Sequence, residues 1–317
     1  MKILVTGCLG FIGSYFVKWL LQENSDIEII GFDRKGDTKN ELRIKEIRDN
    51  KRFHLIYGDL NNEKDISGLC ENIDYVVNFA AFTFVDHSIK DDEPFIQSNF
   101  LGARTLMKEA MRYNVKKFCQ IGTDEVYGQI LEGKYDEKAP LDPRNPYAMA
   151  KASADLCAIS YYHTYKFPVI ITRTENNFGE FQHPQKVMSV FVKKALQDEK
   201  LPVYGDGQHI RYWLYVEDHC RAIWHLIQKG QAGEIYHIAG EQELKNIDLA
   251  KIILKTLGKP ESLIEFVDDF NIRPGHDRRY ALSVEKLKET GWKPKYKLAE
   301  RLEFTINWYK NNLWWLK

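Results

Sequence analysis

Short apolar runs at Ile3 to Val5, Ile27 to Phe32, Phe53 to Tyr57, Tyr75 to Phe79, Phe118 to Ile121 and Val169 to Thr172 alternate with stretches of helical period. Strands apolar on both faces need helices on both sides, so this βαβ series predicts an α/β fold with a Rossmann-type, doubly wound parallel sheet. Ligands of such sheets bind at the carboxyl ends of the strands. After Arg173 the alternation loosens. A Pro184-containing helix start, a short Val203-Tyr204 strand with an Asp206-Gly207 turn, helices near 217 to 229 and 246 to 257, and breaks at Pro260 and Pro274-Gly275 predict a smaller C-terminal substrate-binding domain. The expected division is 1–175 and 176–317, with the run 234–239 able to return and extend the sheet. The tail, with Phe304, Trp308, Trp314 and Trp315, predicts a packed terminal helix.

Across 317 residues, 45 basic side chains balance 45 acidic ones, so no global field exists to hold nucleic acid. Anionic ligands must be bound by local placement. The five cysteines are widely spaced without a CxxC pair, and the histidines form no metal-binding spacing. A reducing cytoplasm, no metal and no membrane-spanning segment are expected.

Thr6-Gly7-Cys8-Leu9-Gly10-Phe11-Ile12-Gly13 follows the first strand and opens an amphipathic helix. Glycines there permit a tight turn, close approach to a pyrophosphate and close helix–strand packing, although the spacing is GxxGxxG rather than GxGxxG. Asp33 ends the second strand, where a carboxylate accepts hydrogen bonds from ribose hydroxyls and repels a 2′-phosphate, which favours NAD over NADP. Arg34 and Lys35 argue the other way. Asp59 after the third strand, and Ala80-Ala81 after the fourth, lie where adenine and pyrophosphate would pass.

Thr123-Asp124-Glu125 ends the fifth strand, and Tyr147 and Lys151 follow at helical spacing on one face. A carboxyl pair can remove one proton and deliver another, while a tyrosine beside a lysine can deprotonate an alcohol. For that work near neutral pH the tyrosine pKa must drop from about 10 to about 7, roughly 4 kcal/mol, which a lysine and a cationic nicotinamide could supply.

These residues resemble the extended short-chain dehydrogenase/reductase family nearly end to end, and within it the nucleotide-sugar 4,6-dehydratases. The resemblance rests on Thr123-Asp124-Glu125-Val126-Tyr127-Gly128, Asn176-Asn177-Phe178-Gly179, Leu201-Pro202-Val203-Tyr204-Gly205-Asp206-Gly207, the run from Arg211 to His219, and the run from Arg273 to Tyr280. It implies that Tyr147, with Thr123 and Lys151, accepts the O4 proton of a hexose. Glu125 then takes the C5 proton, acidic only once C4 is a ketone, and Asp124 protonates the departing C6 hydroxyl. It further implies NAD contacts at Gly7, Gly10, Phe11, Ile12, Gly13, Asp33, Arg34, Asp59, Leu60, Ala80, Ala81, Thr83, Asn99, Tyr147, Lys151 and Asn177. Nucleotide-sugar contacts are implied at Thr83, Thr123, Asn176, Lys186, Val187, Pro202, Val203, Tyr204, Arg211, His237, Arg273, His276 and Asp277. A homodimer through helices near 93–113 and 146–166 is expected from the same likeness.

Two departures bear on the substrate. Phe82-Thr83-Phe84 stands where dTDP-glucose enzymes usually carry Glu-Ser-His, and His237 stands where that pattern has asparagine near the nucleotide. The expected substrates are therefore dTDP-glucose, UDP-glucose or UDP-N-acetylglucosamine, with C5 retained or inverted. A 4-epimerase or decarboxylase would share Tyr147 and Lys151 but has no need of both acids. A non-enzymatic NAD-binding regulator would need neither the acids nor the tyrosine–lysine pair.

Overall fold

The alternation read from the chain becomes one parallel sheet. The computed structural model describes residues 1–36, 38–268, 274 and 276–317. Strands β1 (Lys2–Thr6), β2 (Glu28–Asp33), β3 (Phe53–Tyr57), β4 (Tyr75–Asn78), β5 (Lys117–Ile121) and β6 (Val169–Thr174) fall on the expected runs. With β7 (Asn176–Phe178), β8 (Leu201–Tyr204), β9 (Ile210–Tyr215) and β10 (Ile235–Ile238) following in the chain, the sheet has the order β10-β6-β5-β4-β1-β2-β3. The returning strand β10 pairs parallel to β6, with Ile235 opposite Ile171 and Ile238 opposite Thr174.

Each face buries an apolar layer. Ile3, Val5 and Val77 pack with the first helix (Phe11–Glu23) and the helix Val216–Lys229. Leu4, Val76 and Phe118 pack with the helices Ala103–Arg112 and Pro146–Tyr165. Alternating side chains of one strand thus serve opposite cores. Near the carboxyl ends the strand interiors turn polar: Thr6 Oγ1 donates to Asn78 Oδ1 at 2.6 Å, and Asn78 Nδ2 donates to Gln120 Oε1 at 2.8 Å. This buried ladder crosses β1, β4 and β5 beneath the edge where the site lies, and pairing keeps its burial affordable.

The later residues build two small sheets above that edge. One joins β7, β9 and β11 (Glu243–Lys245); the other pairs β8 with β12 (Ile264–Val267). Differences from expectation have local causes. The helix near 93–113 is three pieces, α over Glu93–Phe95, π over Ile96–Gly102 and α over Ala103–Arg112. The helix after Pro184 starts only at Val187. At the tail Trp315 is fully buried, its Nε1 donating to the Gln182 carbonyl at 2.8 Å, whereas Phe304 and Trp314 face outward.

Candidate active site

Gly7 turns the chain at φ +67°, and a Cβ there would stand 2.7 Å from the Ala80 nitrogen; one on Gly13 would overlap the Gly7 carbonyl oxygen. The turn therefore holds only glycine without displacing backbone. Gly7, Gly10, Phe11, Ile12 and Gly13 line one end of a groove of about 410 Å³ whose other end holds Thr123, Asp124, Glu125, Tyr147 and Lys151. Asp33 braces this loop, its Oδ2 accepting from Leu9 N–H and its Oδ1 from Arg34 N–H, each at 2.8 Å. Burial raises the Asp33 pKa against those two bonds.

Arg34 lies over the Phe82 ring at 4.5 Å and 4.0 Å from Asp59, whose Oδ1 accepts from Asn61 N–H. The Leu60 side chain packs in the core, and Ala80 packs against it, while Ala81, Thr83 and Asn177 line the groove. Asn99 is buried in the π-helical turn. Its Oδ1 accepts from Phe82 N–H at 2.8 Å and its Nδ2 donates to the Phe82 carbonyl at 2.9 Å, so it fixes the loop carrying Thr83 and Phe84. Asn177 Oδ1 and Gln182 Oε1 on the groove wall are buried without a protein partner. A dinucleotide fits this set: a glycine cradle at a helix N-terminus, a carboxylate at the second strand, and unsatisfied acceptors along the wall.

Thr123 caps a short 3₁₀ turn, Asp124–Tyr127, its Oγ1 accepting from Glu125 N–H at 3.3 Å and donating to Asp124 Oδ1 at 3.0 Å. Tyr147 and Lys151 project from one face of the helix Pro146–Tyr165, both buried. Lys151 Nζ donates to the Ile121 carbonyl, which fixes it at the end of β5. Burial pushes its pKa down to about 8, against the pull of Asp155 one turn on. Burial, then the Glu125 charge, pushes Asp124 up to about 7, and its Oδ2 lacks a partner. The Tyr147 phenol is held above its ordinary range by burial first and Glu125 next, with Thr123 opposing.

A second groove, of about 250 Å³, runs on from the first, and Thr83, Phe84, Glu125, Asn176 and Lys186 line both. Val187, Pro202, Tyr204, Arg211, His276 and Asp277 line its far part. Arg211 donates from Nη2 to the Asp277 carbonyl at 2.9 Å and lies over the Tyr280 ring at 4.4 Å. Lys186 Nζ donates to the Thr83 carbonyl at 2.8 Å and sits over Phe84 at 4.4 Å. Lys186 and Arg211 thus bring two cations into one groove beside apolar walls, an arrangement able to take an anionic group.

Two expected contacts are corrected. Val203 is fully buried in the core because β8 alternates, presenting Pro202 and Tyr204 to the groove and Leu201 and Val203 to the interior. His237 is fully buried behind the site and lines neither groove: its Nε2 meets Tyr127 Oη at 2.7 Å and its Nδ1 the Ser283 carbonyl at 3.0 Å. Arg273 lies outside the described residues.

Two site residues escaped the sequence reading. Asn145 N-caps the catalytic helix through Ala148 N–H at 2.8 Å and donates from Nδ2 to Glu125 Oε2 at 2.9 Å. Glu175, buried at the end of β6, lines the cofactor groove with Oε2 unpartnered, and burial followed by Asp124 holds its pKa well above the carboxylate range. Asn-Pro before a helix was the available signal for Asn145. Glu175 had none, since its burial follows only from the fold.

Residues 4–305 match the family model for GDP-mannose 4,6 dehydratase. Over 98% of both chains the sequence is 42% identical to the low-salt glycan biosynthesis protein Agl12 of Haloferax volcanii. It is 41% identical to a dTDP-glucose 4,6-dehydratase of Actinoplanes sp., covering 99% of this chain and all of that one. The crystal structure of DesIV, a dTDP-glucose 4,6-dehydratase from Streptomyces venezuelae with NAD and TYD bound, superimposes with a TM-score of 0.95 at 39% identity, covering 100% and 99% of the two chains.

Proposed function

The chain belongs to the GDP-mannose 4,6 dehydratase family, and from that premise we propose that it dehydrates dTDP-glucose to the 4-keto-6-deoxy sugar with retention at C5. It is an NAD-dependent nucleotide-sugar 4,6-dehydratase, a hydro-lyase. The observation that carries the reading is the placement of Glu125 at the junction of the two grooves, with Asp124 and Tyr147 beside it in the cofactor groove. A hexose seated at that junction meets both carboxyls and the phenol, whereas a 4-epimerase needs only the phenol.

Bound NAD supplies a hydride acceptor that takes hydrogen from C4 and returns it at C6. Tyr147 accepts the O4 proton, with Lys151 and Thr123 stabilising the charge. Glu125, oriented by Asn145, removes the C5 proton and later restores it. Asp124, poised near pH 7 by burial, delivers the proton that lets the C6 hydroxyl leave as water. Arg211 and Lys186 supply the positive charge that holds the diphosphate.

The choice of dTDP is supported by the DesIV likeness, and with His237 buried behind the site the argument for UDP at that position loses its footing. Phe84 still makes the sugar end more apolar. Residues 1–175 would carry the cofactor and 176–317 the nucleotide sugar, with β10 lent back to the cofactor sheet. Met149, Leu156 and Tyr165 on the catalytic helix are exposed, which suits burial against a second copy in a homodimer. Five free cysteines suit a reducing cytoplasm, and among the described residues no helix is long and apolar enough to cross a membrane. Incubation with a panel of dTDP- and UDP-hexoses, without added reductant, tests the reading. Loss of water from dTDP-glucose in preference to the UDP sugars supports it; C4 inversion without water loss overturns it.

A further inference from the structure

Two elements of the active site converge on one arginine behind it. Arg173 stands on β6 two residues after Ile171, on the sheet face that packs against the catalytic helix, and it is buried. Its Nε donates to Asp155 Oδ2 at 2.9 Å, on the helix that carries Tyr147 and Lys151. Its Nη1 donates to the hydroxyl of Tyr127, the last residue of the turn that carries Asp124 and Glu125.

The direction of each bond in this chain is fixed. The Ser283 carbonyl can only accept, so His237 Nδ1, 3.0 Å from it, carries the ring proton. Burial pushes the imidazole pKa down to about 3, so the ring is neutral and its Nε2 is bare. Tyr127 therefore donates to Nε2 at 2.7 Å, and its oxygen is left to accept from Arg173. The guanidinium has an anchored hydroxyl on one side and a carboxylate on the other.

The carboxylate bears on the chemistry. Asp155 lies one helical turn after Lys151 on the same face, and both are buried. Its Oδ1 lacks a hydrogen-bond partner, and a Cβ on Gly122 would stand 3.3 Å from it. Gly122 follows Ile121, whose carbonyl takes the Lys151 ammonium, so the two opposite charges face the same end of β5. A carboxylate left alone there would cancel the lysine, and the Tyr147 phenolate would lose the charge that stabilises it. With Arg173 bonded to Asp155, two cations and one anion leave one positive charge beside the phenol.

Resting on the dehydratase reading, we propose that Arg173 and Asp155 are positioning residues for the hydride step: their ion pair keeps the Lys151 charge available to Tyr147, while the Tyr127 bond holds the acid-bearing turn against the same helix. No proton or electron changes hands within the pair. The charged groups about Tyr147 are Asp124 and Glu125 from the turn, Lys151 and Asp155 from its own helix, and Arg173 behind them on β6. The helix Val85–Lys90 and the segment Glu93–Phe95 meet Tyr147 through Ser88 and Phe95, which are uncharged.

The test follows reduced nicotinamide by rapid-scan absorbance in a single turnover of dTDP-glucose by NAD-loaded protein, across pH, with thermal unfolding as the control for folding. The rate should rise with pH as Tyr147 loses its proton. Arg173→Met leaves Asp155 uncompensated and should move this rise upward by about one pH unit or more, a roughly tenfold slower oxidation at a given pH below it. Asp155→Asn should move it downward, and the double variant, with both charges gone, should return close to wild type. Where Arg173→Met fails to fold, Asp155→Asn alone decides, and an unmoved rise overturns the proposal. Single variants that slow oxidation without moving the rise, or a double variant no closer to wild type than Arg173→Met, would also overturn it and leave the ion pair a structural brace. Reduced nicotinamide formed by wild type without later loss of water would instead remove the dehydratase reading, with the shifts still readable in the first step.

Discussion

Asn145 holds the Glu125 carboxylate at 2.9 Å with one end of its amide and caps the helix bearing Tyr147 and Lys151 with the other. One side chain therefore ties Glu125 to the helix that carries Tyr147. Asn145→Ala should lose the cap, about 1 kcal/mol of stability, and release Glu125. Thermal unfolding reports the first effect. Solvent-deuterium exchange at C5 reports the second, and an unchanged exchange rate would show that Glu125 needs no such support.

Glu125→Gln keeps the shape and removes the base. C5 exchange and water loss should fall by about 10²- to 10⁴-fold while NAD stays bound and C4 oxidation proceeds. Rapid-scan absorbance of the reduced nicotinamide separates these steps, and normal C5 exchange would exclude Glu125 as the base.

Asp124 gives a pH prediction of definite sign. The proposed mechanism needs it protonated to release the C6 hydroxyl, and burial pushes its pKa up to about 7, so the elimination step should weaken as pH rises through that value. The same shift acts on stability. An acid whose pKa rises on folding, from about 3.9 to about 7, adds no penalty below both values and its full penalty, a few kcal/mol, above both. Asp124→Asn should thus raise the melting temperature at pH 8 and leave it nearly unchanged at pH 4. A melting temperature unaffected at pH 8 would contradict a carboxyl whose charge is opposed by burial and by Glu125.

Gly7→Ala places a Cβ 2.7 Å from the Ala80 nitrogen in a φ > 0 turn. Protein purified from this variant should carry little NAD, as measured by released nicotinamide absorbance. Wild-type NAD content would mean that the turn can relax.

His237→Asn should alter stability but not the preference between dTDP and UDP sugars, because the imidazole is enclosed by Tyr127, Ser283 and the strand β10. Competition between the two nucleotides checks this. A changed preference would place His237 in contact with the base after all.

What was legible in the chain was whatever local chemistry dictates. Strands apolar on both faces announced the parallel sheet, the glycine turn announced the cofactor end, and Tyr147 and Lys151 shared a face by helical period alone. What was not legible depends on how distant segments meet. Val203 lies in a groove motif yet points inward, since alternation fixes facing only once the register of β8 against β12 is known. His237 sits in a strand near the site, but Tyr127 from a separate turn covers it. Glu175 carries no signal in the sequence: its burial arises only when β10 and the Leu282 segment close over it, with Leu282 N–H donating to its Oε1 at 2.8 Å. The π-helical turn that aims Asn99 at Phe82 adds one residue to the local repeat, a shift no apolar pattern in that segment marks.

The account turns on a hydride that never leaves the protein. Substrate carrying deuterium at C4, turned over without external reductant and read by NMR of the product, tests this most directly. Deuterium found at C6 of a 4-keto-6-deoxy sugar is the predicted result; deuterium retained at C4, or released to solvent, would contradict it.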